Sequence, residues 1–189
     1  AEEPPVMLDI GYLIDAKRLF DAPEQGRQRG IFISAYNENE RVSQLFTKVT
    51  AHRKVWWILP EYSYEAHEYP EGEIIDGLPT YEADLVRVGL AKSGYDPANP
   101  QPICVDITGF LHPHILLFLR YFKMYGVKDV EFVYTEPEHY SQKVDTQFSL
   151  DDKSDVRQVA GYEGAHVPEM QHDVLMVGVG YEHNLMGQV

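Results

Sequence analysis

The sequence predicts an α/β protein built on a mostly parallel β-sheet, and three observations lead to this prediction. Short apolar runs rich in β-branched and aromatic residues recur along the chain, and their continuity is typical of strands buried on both faces. Segments with helical spacing of apolar residues separate these runs. The 189 residues are 44% hydrophobic, which is enough for the core of one domain.

Five apolar runs predict the strands. They are residues 31–36, 55–59, 103–107, 129–134 and 174–180. Because helices are expected between most of them, the strands should run parallel and be joined by right-handed crossovers. The predicted fold is therefore a three-layer, doubly wound, mostly parallel sheet of Rossmann-like architecture.

Three segments between the strands predict helices. Residues 38–51 repeat apolar side chains on one helix face, and Asn37 or Asn39 can cap this helix at its N-terminus. Residues 80–92 predict a second helix. The third begins near Pro113 and is apolar nearly all round, so we expect it to be central and buried.

Residues 61–79, the acidic segment, break this alternation. They contain six acidic residues and neither Lys nor Arg, and they predict a loop rather than a regular element. Two roles are open for the acidic segment. It is either a solvated loop or a lid that closes over a crevice and excludes water.

The whole chain, residues 1–189, is predicted to form a single Rossmann-like domain. Residues 8–20 have helical spacing and belong to a helical N-terminal extension, residues 1–29. A further helix is expected to begin after the last strand, close to Val189. We therefore expect the chain to be the N-terminal part of a longer protein.

The charge of the chain excludes two classes of partner. The net charge is −14 at pH 7. Binding of nucleic acids or of anionic membrane surfaces depends on clustered Lys and Arg, so neither partner is expected for this domain alone. A small-molecule ligand is the expected partner, and a homo-oligomer stays open.

Cys104 is the only cysteine and lies inside an apolar run, so it is predicted to be a small buried hydrophobe. A chain without an internal disulfide fits a reducing compartment. The apolar runs are all too short to cross a bilayer. We therefore expect a cytoplasmic protein.

Polar residues follow the predicted strands, where ligands bind in open α/β sheets. Such ligands lie outside the carboxyl ends of the strands, at the point where the strand order reverses. The predicted ligand-binding residues are Ser34, Asn37, Arg41, Thr108, Gly109, Tyr134 and Glu182, and the candidates for catalysis are Asp106, Glu136 and His112.

Two roles are open for Asp106. A buried Asp at a strand end often caps the following turn, but the same carboxylate can point into the crevice to bind a ribose hydroxyl or a metal, or act as a base. His112 and His114 are two positions apart and do not share a helix face. Without a Cys or HExxH pattern nearby, they predict no metal site.

The start of the first connecting helix also has two interpretations. Backbone N–H groups in residues 34–41 could hold a phosphate or carboxylate with Arg41 as counter-charge, or the segment is a plain N-cap. The chain lacks the GxxxxGK[ST] and GxSxG motifs, and the GVGYE stretch near its end is a weak dinucleotide fingerprint. No cofactor is identified.

The stretches ISAYNENERV, VDITGF, VYTEPEHY, RQVAGYEG and GVGYE together resemble a group of bacterial Rossmann-like proteins associated with defence or signalling operons. The resemblance covers residues 30–185 and implies a Rossmann-like fold. ISAYNENER also resembles the first strand and loop of TIR-type domains, but this resemblance assigns no catalytic glutamate in the chain.

Three functions follow from these observations. The first is binding of a small nucleotide-type ligand, as the sensor or effector part of a larger bacterial protein. The second is hydrolysis of glycosidic or phosphoester bonds, with Asp106 or Glu136 as base or nucleophile and His112 or His114 as acid. The third is a non-catalytic interaction module with an exposed apolar patch around Trp56, Trp57 or the end of the chain at Val189.

Overall fold

In a computed structural model of the chain, residues 28–137 and 158–163 are described. The strands of this part are β1 (Ile31–Ala35), β2 (Arg53–Trp57), β3 (Glu73–Ile75), β4 (Ile103–Asp106) and β5 (Val130–Val133). The helices are α1 (Glu40–Lys48), α2 (Glu82–Lys92) and α3 (His112–Met124), and short 3₁₀ turns lie at Pro60–Tyr62 and Ala66–Glu68.

The five strands form one parallel sheet in the order β3-β2-β1-β4-β5. This topology confirms the predicted three-layer α/β, Rossmann-like fold. The strand order reverses between β1 and β4, which are hydrogen-bonded neighbours in the sheet. In the register, Ser34 of β1 stands opposite Trp56 of β2 on one side and Asp106 of β4 on the other.

Each face of the sheet has its own core. On one face, Phe32, Trp56 and Cys104 pack with Val42 and Phe46 of α1. The rings of Phe46 and Trp56 stack with their centroids 3.6 Å apart. The opposite face packs against α2 and α3, and its buried residues include Ile33, Val55, Trp57, Leu85, Leu90, Val105 and Phe118.

The helix ends follow from local chemistry. Asn39 is the N-cap of α1, because its side chain accepts a hydrogen bond from the backbone N–H of Arg41 at 3.1 Å. Asn37, the other predicted cap, accepts instead from the N–H of Asn39 at 3.0 Å. Gly126 follows α3 with a φ of 64°, a left-handed conformation that suits glycine after a helix.

Two predictions differ from the structure: the bounds of the second strand and the lack of regular structure in the acidic segment. β2 covers Arg53–Trp57 rather than residues 55–59. Its two charged residues fit the strand because they have partners: Arg53 pairs with Glu73, and Lys54 donates to the carbonyl groups of Phe46 and Val49. The acidic segment is not devoid of regular structure, because it contains β3, a three-residue strand beside β2.

The prediction that α3 is buried all round is also wrong. The helix buries a stripe that contains His114 and Phe118, but Leu119 is 47% exposed and Met124 67% exposed. It lies in an outer layer, so only one side of it faces the sheet and α2. The Tyr162 hydroxyl donates to the Leu116 carbonyl at 2.6 Å on the outer side.

Trp56 and Trp57 form no exposed patch. Their exposed fractions are 3% and 0%, because each is part of one of the two cores. The interaction surface predicted around them is therefore wrong. Within the described ranges, no helix is long and apolar enough to span a bilayer.

Several predicted elements lie outside the described residues. These are the helix at residues 8–20, the last strand at residues 174–180, the helix expected after it and the candidate ligand residue Glu182. Residues 158–163 contain a turn at Gly161 and no strand.

A buried ion pair ties the residue before β1 to β5. Arg29 donates to both carboxylate oxygens of Glu131, at 2.7 and 3.0 Å, and its side chain is 3% exposed. Cys104 lies beside this pair and is fully buried. Burial and the neighbouring Glu131 carboxylate raise the pKa of the Cys104 thiol from 9.0 to about 12.

We expect Cys104 to resist alkylation in the folded protein. A pKa raised to about 12 leaves roughly a thousandfold less thiolate than a thiol of pKa 9.0, and burial also blocks the reagent. The measurement is the rate of reaction with a thiol reagent at pH 8, with and without urea. A variant that combines Cys104→Ala with Ser43→Cys, on the exposed side of α1, should react fast in both conditions. Equal rates for the two folded proteins would contradict the prediction.

Candidate functional site

The candidate site lies at the carboxyl ends of β1 and β4. The connection after β1 leads to α1 on one face of the sheet, and the connection after β4 leads to α3 on the other. Such a reversal point leaves a crevice between the two connections. The connections also touch, because a Cβ on Gly109 would lie 2.2 Å from the carbonyl oxygen of Ala35.

Asp106 ties β4 to β1 and to the turn that follows. One carboxylate oxygen accepts a hydrogen bond from the Ser34 hydroxyl at 2.8 Å, and the other accepts from the backbone N–H of Thr108 at 3.0 Å. Asp106 is fully buried. Burial raises the pKa of Asp106, while the hydrogen bonds from Thr108 and Ser34 oppose this rise. The structure therefore shows the first of the two predicted roles of Asp106, in which its carboxylate caps the turn that follows β4.

Thr108 and Arg41 connect this unit to the segment after β5. The Thr108 hydroxyl accepts from the backbone N–H of Thr135 at 3.0 Å. The Arg41 guanidinium donates to the Thr135 carbonyl at 2.8 Å and to the Asn39 side chain at 3.1 Å. The structure therefore brings Ser34, Arg41 and Thr108 together around Asp106, as the strand-end argument predicted.

Residues 60–64, which follow β2, contact both the connection after β1 and the connection after β4. We call these residues the strap. The Tyr62 hydroxyl donates to the Gly109 carbonyl at 2.8 Å, and the Tyr64 hydroxyl accepts from the Glu38 backbone N–H at 3.2 Å. Burial raises the pKa of Tyr62, and a hydrogen bond with the Asn37 side chain opposes the rise.

His114 lies under the strap, in the first turn of α3. It is fully buried, and its Nε2 atom is 3.2 Å from a carboxylate oxygen of Glu61. This distance fits an ion pair, but neither ring nitrogen makes a hydrogen bond of acceptable geometry in the described part of the chain. His112, two positions earlier, is exposed. The buried member of the pair is therefore His114, whereas the sequence had favoured His112 for catalysis.

Two further candidates, Tyr134 and Glu136, flank Thr135, whose backbone contacts Thr108 and Arg41. Tyr134 is 52% exposed after β5, and Glu136 is exposed two residues later. A role for either in a site stays a prediction. Among residues 28–137 and 158–163, no group of three or more His, Cys, Asp or Glu side chains could hold a metal ion.

Comparisons with known protein families, curated proteins and solved structures found no significant match. The class of protein therefore follows from the fold and the site. It is a Rossmann-like α/β protein with hydrogen-bonded polar side chains at the point where its strand order reverses.

We expect Asp106→Ala to destabilise the protein by about 3 kcal/mol, because the Ser34 hydroxyl and the Thr108 N–H lose their buried acceptor. Asp96→Ala is the matched control, since Asp96 accepts from the N–H of Ala98 in the same way but is exposed. It should cost less than about 1 kcal/mol. Urea unfolding followed by circular dichroism gives both values, and similar costs would contradict the prediction.

Asp106→Asn should change how stability depends on pH. The folded-state pKa of Asp106 is raised, so the stability from its protonated form is present below the ordinary aspartate pKa and lost as pH rises through the raised value. The free energy of unfolding of the wild type should therefore fall relative to Asp106→Asn from about pH 4 upwards, then level off. Unfolding both proteins between pH 4 and 8 measures the difference, and a constant difference would contradict it.

Gly109→Ala should destabilise the protein by pushing the connection after β4 away from the end of β1. The added Cβ meets the backbone of β1, which no side-chain rotation can relieve, so we expect a loss of about 2–3 kcal/mol. In Gly126→Ala, nothing lies within 4 Å of the Cβ and only the backbone conformation is strained, at a cost of about 1 kcal/mol. Thermal and urea unfolding compare the two variants, and an equal or smaller loss for Gly109→Ala would contradict the close contact.

Proposed function

We propose that this domain binds a small nucleotide-type ligand in the crevice between the ends of β1 and β4. In this proposal it is the sensor or effector part of a larger, cytoplasmic bacterial protein. The sensor or effector role is supported by the sequence resemblance, which implies an association with defence or signalling operons.

One observation carries the proposal of a ligand site. The strand order reverses between β1 and β4, and polar side chains from both strand ends and from α1 gather at this position. Parallel α/β sheets bind their ligands in this crevice. The side chains there are hydrogen-bonded to each other and to the backbone, so they fix the end of β4 against β1.

The charges around the crevice favour a ligand with little negative charge. Arg41 and the N-terminus of α1 are suited to one phosphate or carboxylate group. Glu38 and Glu40 flank the same position, and the strap contributes Glu61. With a net charge of −14 on the chain, a nucleoside or nucleoside monophosphate is favoured over a triphosphate.

Binding of AMP, ADP and ATP by isothermal titration calorimetry tests the proposal. We expect AMP to bind more tightly than ATP. Arg41→Gln should weaken AMP binding by about 10- to 100-fold, because a charge-assisted contact is lost. Arg87→Gln is the matched control, since Arg87 lies on the exposed side of α2 and pairs only with Asp84 among the described residues. It should change the dissociation constant less than about twofold.

Two results would overturn the proposal. One is that no nucleotide or nucleoside binds the wild-type protein, whether added or retained through purification and seen by native mass spectrometry. The other is that a folded Arg41→Gln protein binds AMP as tightly as the wild type. Circular dichroism of each variant verifies the fold.

A hydrolase is the second candidate, because a carboxylate and an imidazole meet beside the crevice. Glu61 is 28% exposed and can reach a ligand, while His114 behind it is buried. A carboxylate in this position could accept a proton from an attacking water. Chromatography of nucleotides incubated with the protein separates the candidates. Recovery of the intact nucleotide supports binding without catalysis. Hydrolysis of the nucleotide that is lost in Glu61→Gln but kept in the control Glu71→Gln supports the hydrolase.

A further inference from the structure

The strap bridges the two connections that flank the crevice. Tyr62 contacts the connection after β4 through the Gly109 carbonyl, and Tyr64 contacts the connection after β1 through the Glu38 N–H. The rings of Tyr62 and Tyr64 lie 6.0 Å apart between centroids. A ligand in the crevice would therefore lie under or beside the strap.

The closed position of the strap carries two unfavourable features. Ser63 has a φ of 53°, a left-handed conformation that is unfavourable for a residue with a side chain. His114 is buried beneath the strap without a hydrogen bond from either ring nitrogen to a described residue. Buried polar groups without partners are rare in native proteins, because water would satisfy them. Lifting the strap would give water access to His114.

The polar contacts that hold the strap are unequal, and they add to a ring contact between Tyr64 and Tyr36, to the packing of Tyr62 on the core and to its hydrogen bond with Asn37. The bond from Tyr62 to Gly109 is short, at 2.8 Å, and partly buried. The Tyr64 contact is longer, at 3.2 Å, and exposed. The Glu61 carboxylate approaches His114 at 3.2 Å without hydrogen-bond geometry. The Tyr62 hydroxyl is therefore the main polar attachment.

We propose that the strap is a gate over the crevice, held shut by Tyr62, and that it lifts as one unit to admit the ligand. The strap would control access to the site of the proposed function. The inference rests on that function only for the identity of the ligand that the strap admits. The movement itself is a property of the chain without ligand.

Exchange of the Glu38 backbone amide with water, measured by NMR, tests the movement. This N–H is bonded to Tyr64 and not to Tyr62, so it reports whether the strap moves as a unit. We expect Tyr62→Phe to speed its exchange by about three- to tenfold, because the main attachment is lost. Unchanged exchange at Glu38 in a folded Tyr62→Phe protein would overturn the proposal.

Two further variants calibrate the measurement. Tyr64→Phe removes the acceptor of the Glu38 N–H directly and sets the upper limit of the exchange rate. Tyr69→Phe is the matched control from the same acidic segment, since the Tyr69 hydroxyl makes no hydrogen bond to any described residue. It should leave Glu38 unchanged. A Tyr69→Phe effect as large as that of Tyr62→Phe would overturn the proposal, because exchange would then not depend on the strap.

The kinetics of AMP binding separate the gate from the proposed function. If the strap limits entry, Tyr62→Phe should raise the association and dissociation rates of AMP together in stopped-flow fluorescence, by a similar factor of about three- to tenfold. AMP rates unchanged by a variant that speeds Glu38 exchange would overturn the gate and leave the binding function standing. If AMP binds neither protein, the binding function fails for this probe, and Glu38 exchange alone decides whether the strap moves as a unit.

Discussion

The rest of the structure depends on the central position of β1. All five of its residues are buried, and it pairs in parallel with β2 on one side and β4 on the other. The connection after β1 leads to α1 on one face of the sheet, and the connection after β4 leads to α3 on the other, so the helices that follow these two neighbouring strands lie apart. The crevice, the cap at Asp106 and the path of the strap all result from this one arrangement.

Much of the fold could be predicted because the relevant information is local. Apolar runs and helical spacing identified four of the five described strands and all three helices. The exceptions have physical causes. Arg53 and Lys54 belong to β2 because the Glu73 carboxylate and carbonyl groups at the end of α1 satisfy them, and β3 is too short to show a pattern. The exposed side of α3 was not predicted because an apolar composition does not indicate which side of a helix packs against the rest of the protein.

The candidate site was predictable only in part. Strand-end logic found Ser34, Arg41 and Thr108, because neighbouring parallel strands bring their ends together whatever the side chains. The strap contacts join residues 26 and 47 positions apart, and no local pattern encodes such bonds. The tyrosines of the PEYSY stretch were visible in the sequence, but their partners are backbone groups, which any sequence offers everywhere.

The ion pair between Arg29 and Glu131 has a mechanical consequence. Arg29 stands just before β1, whereas Glu131 belongs to β5, with β4 between them in the sheet. A force applied to the chain ahead of residue 28 is therefore shared between the central strand and β5 instead of peeling β1 away alone. A displacement of Arg29 would therefore reach both β1 and β5 of the described sheet through this ion pair.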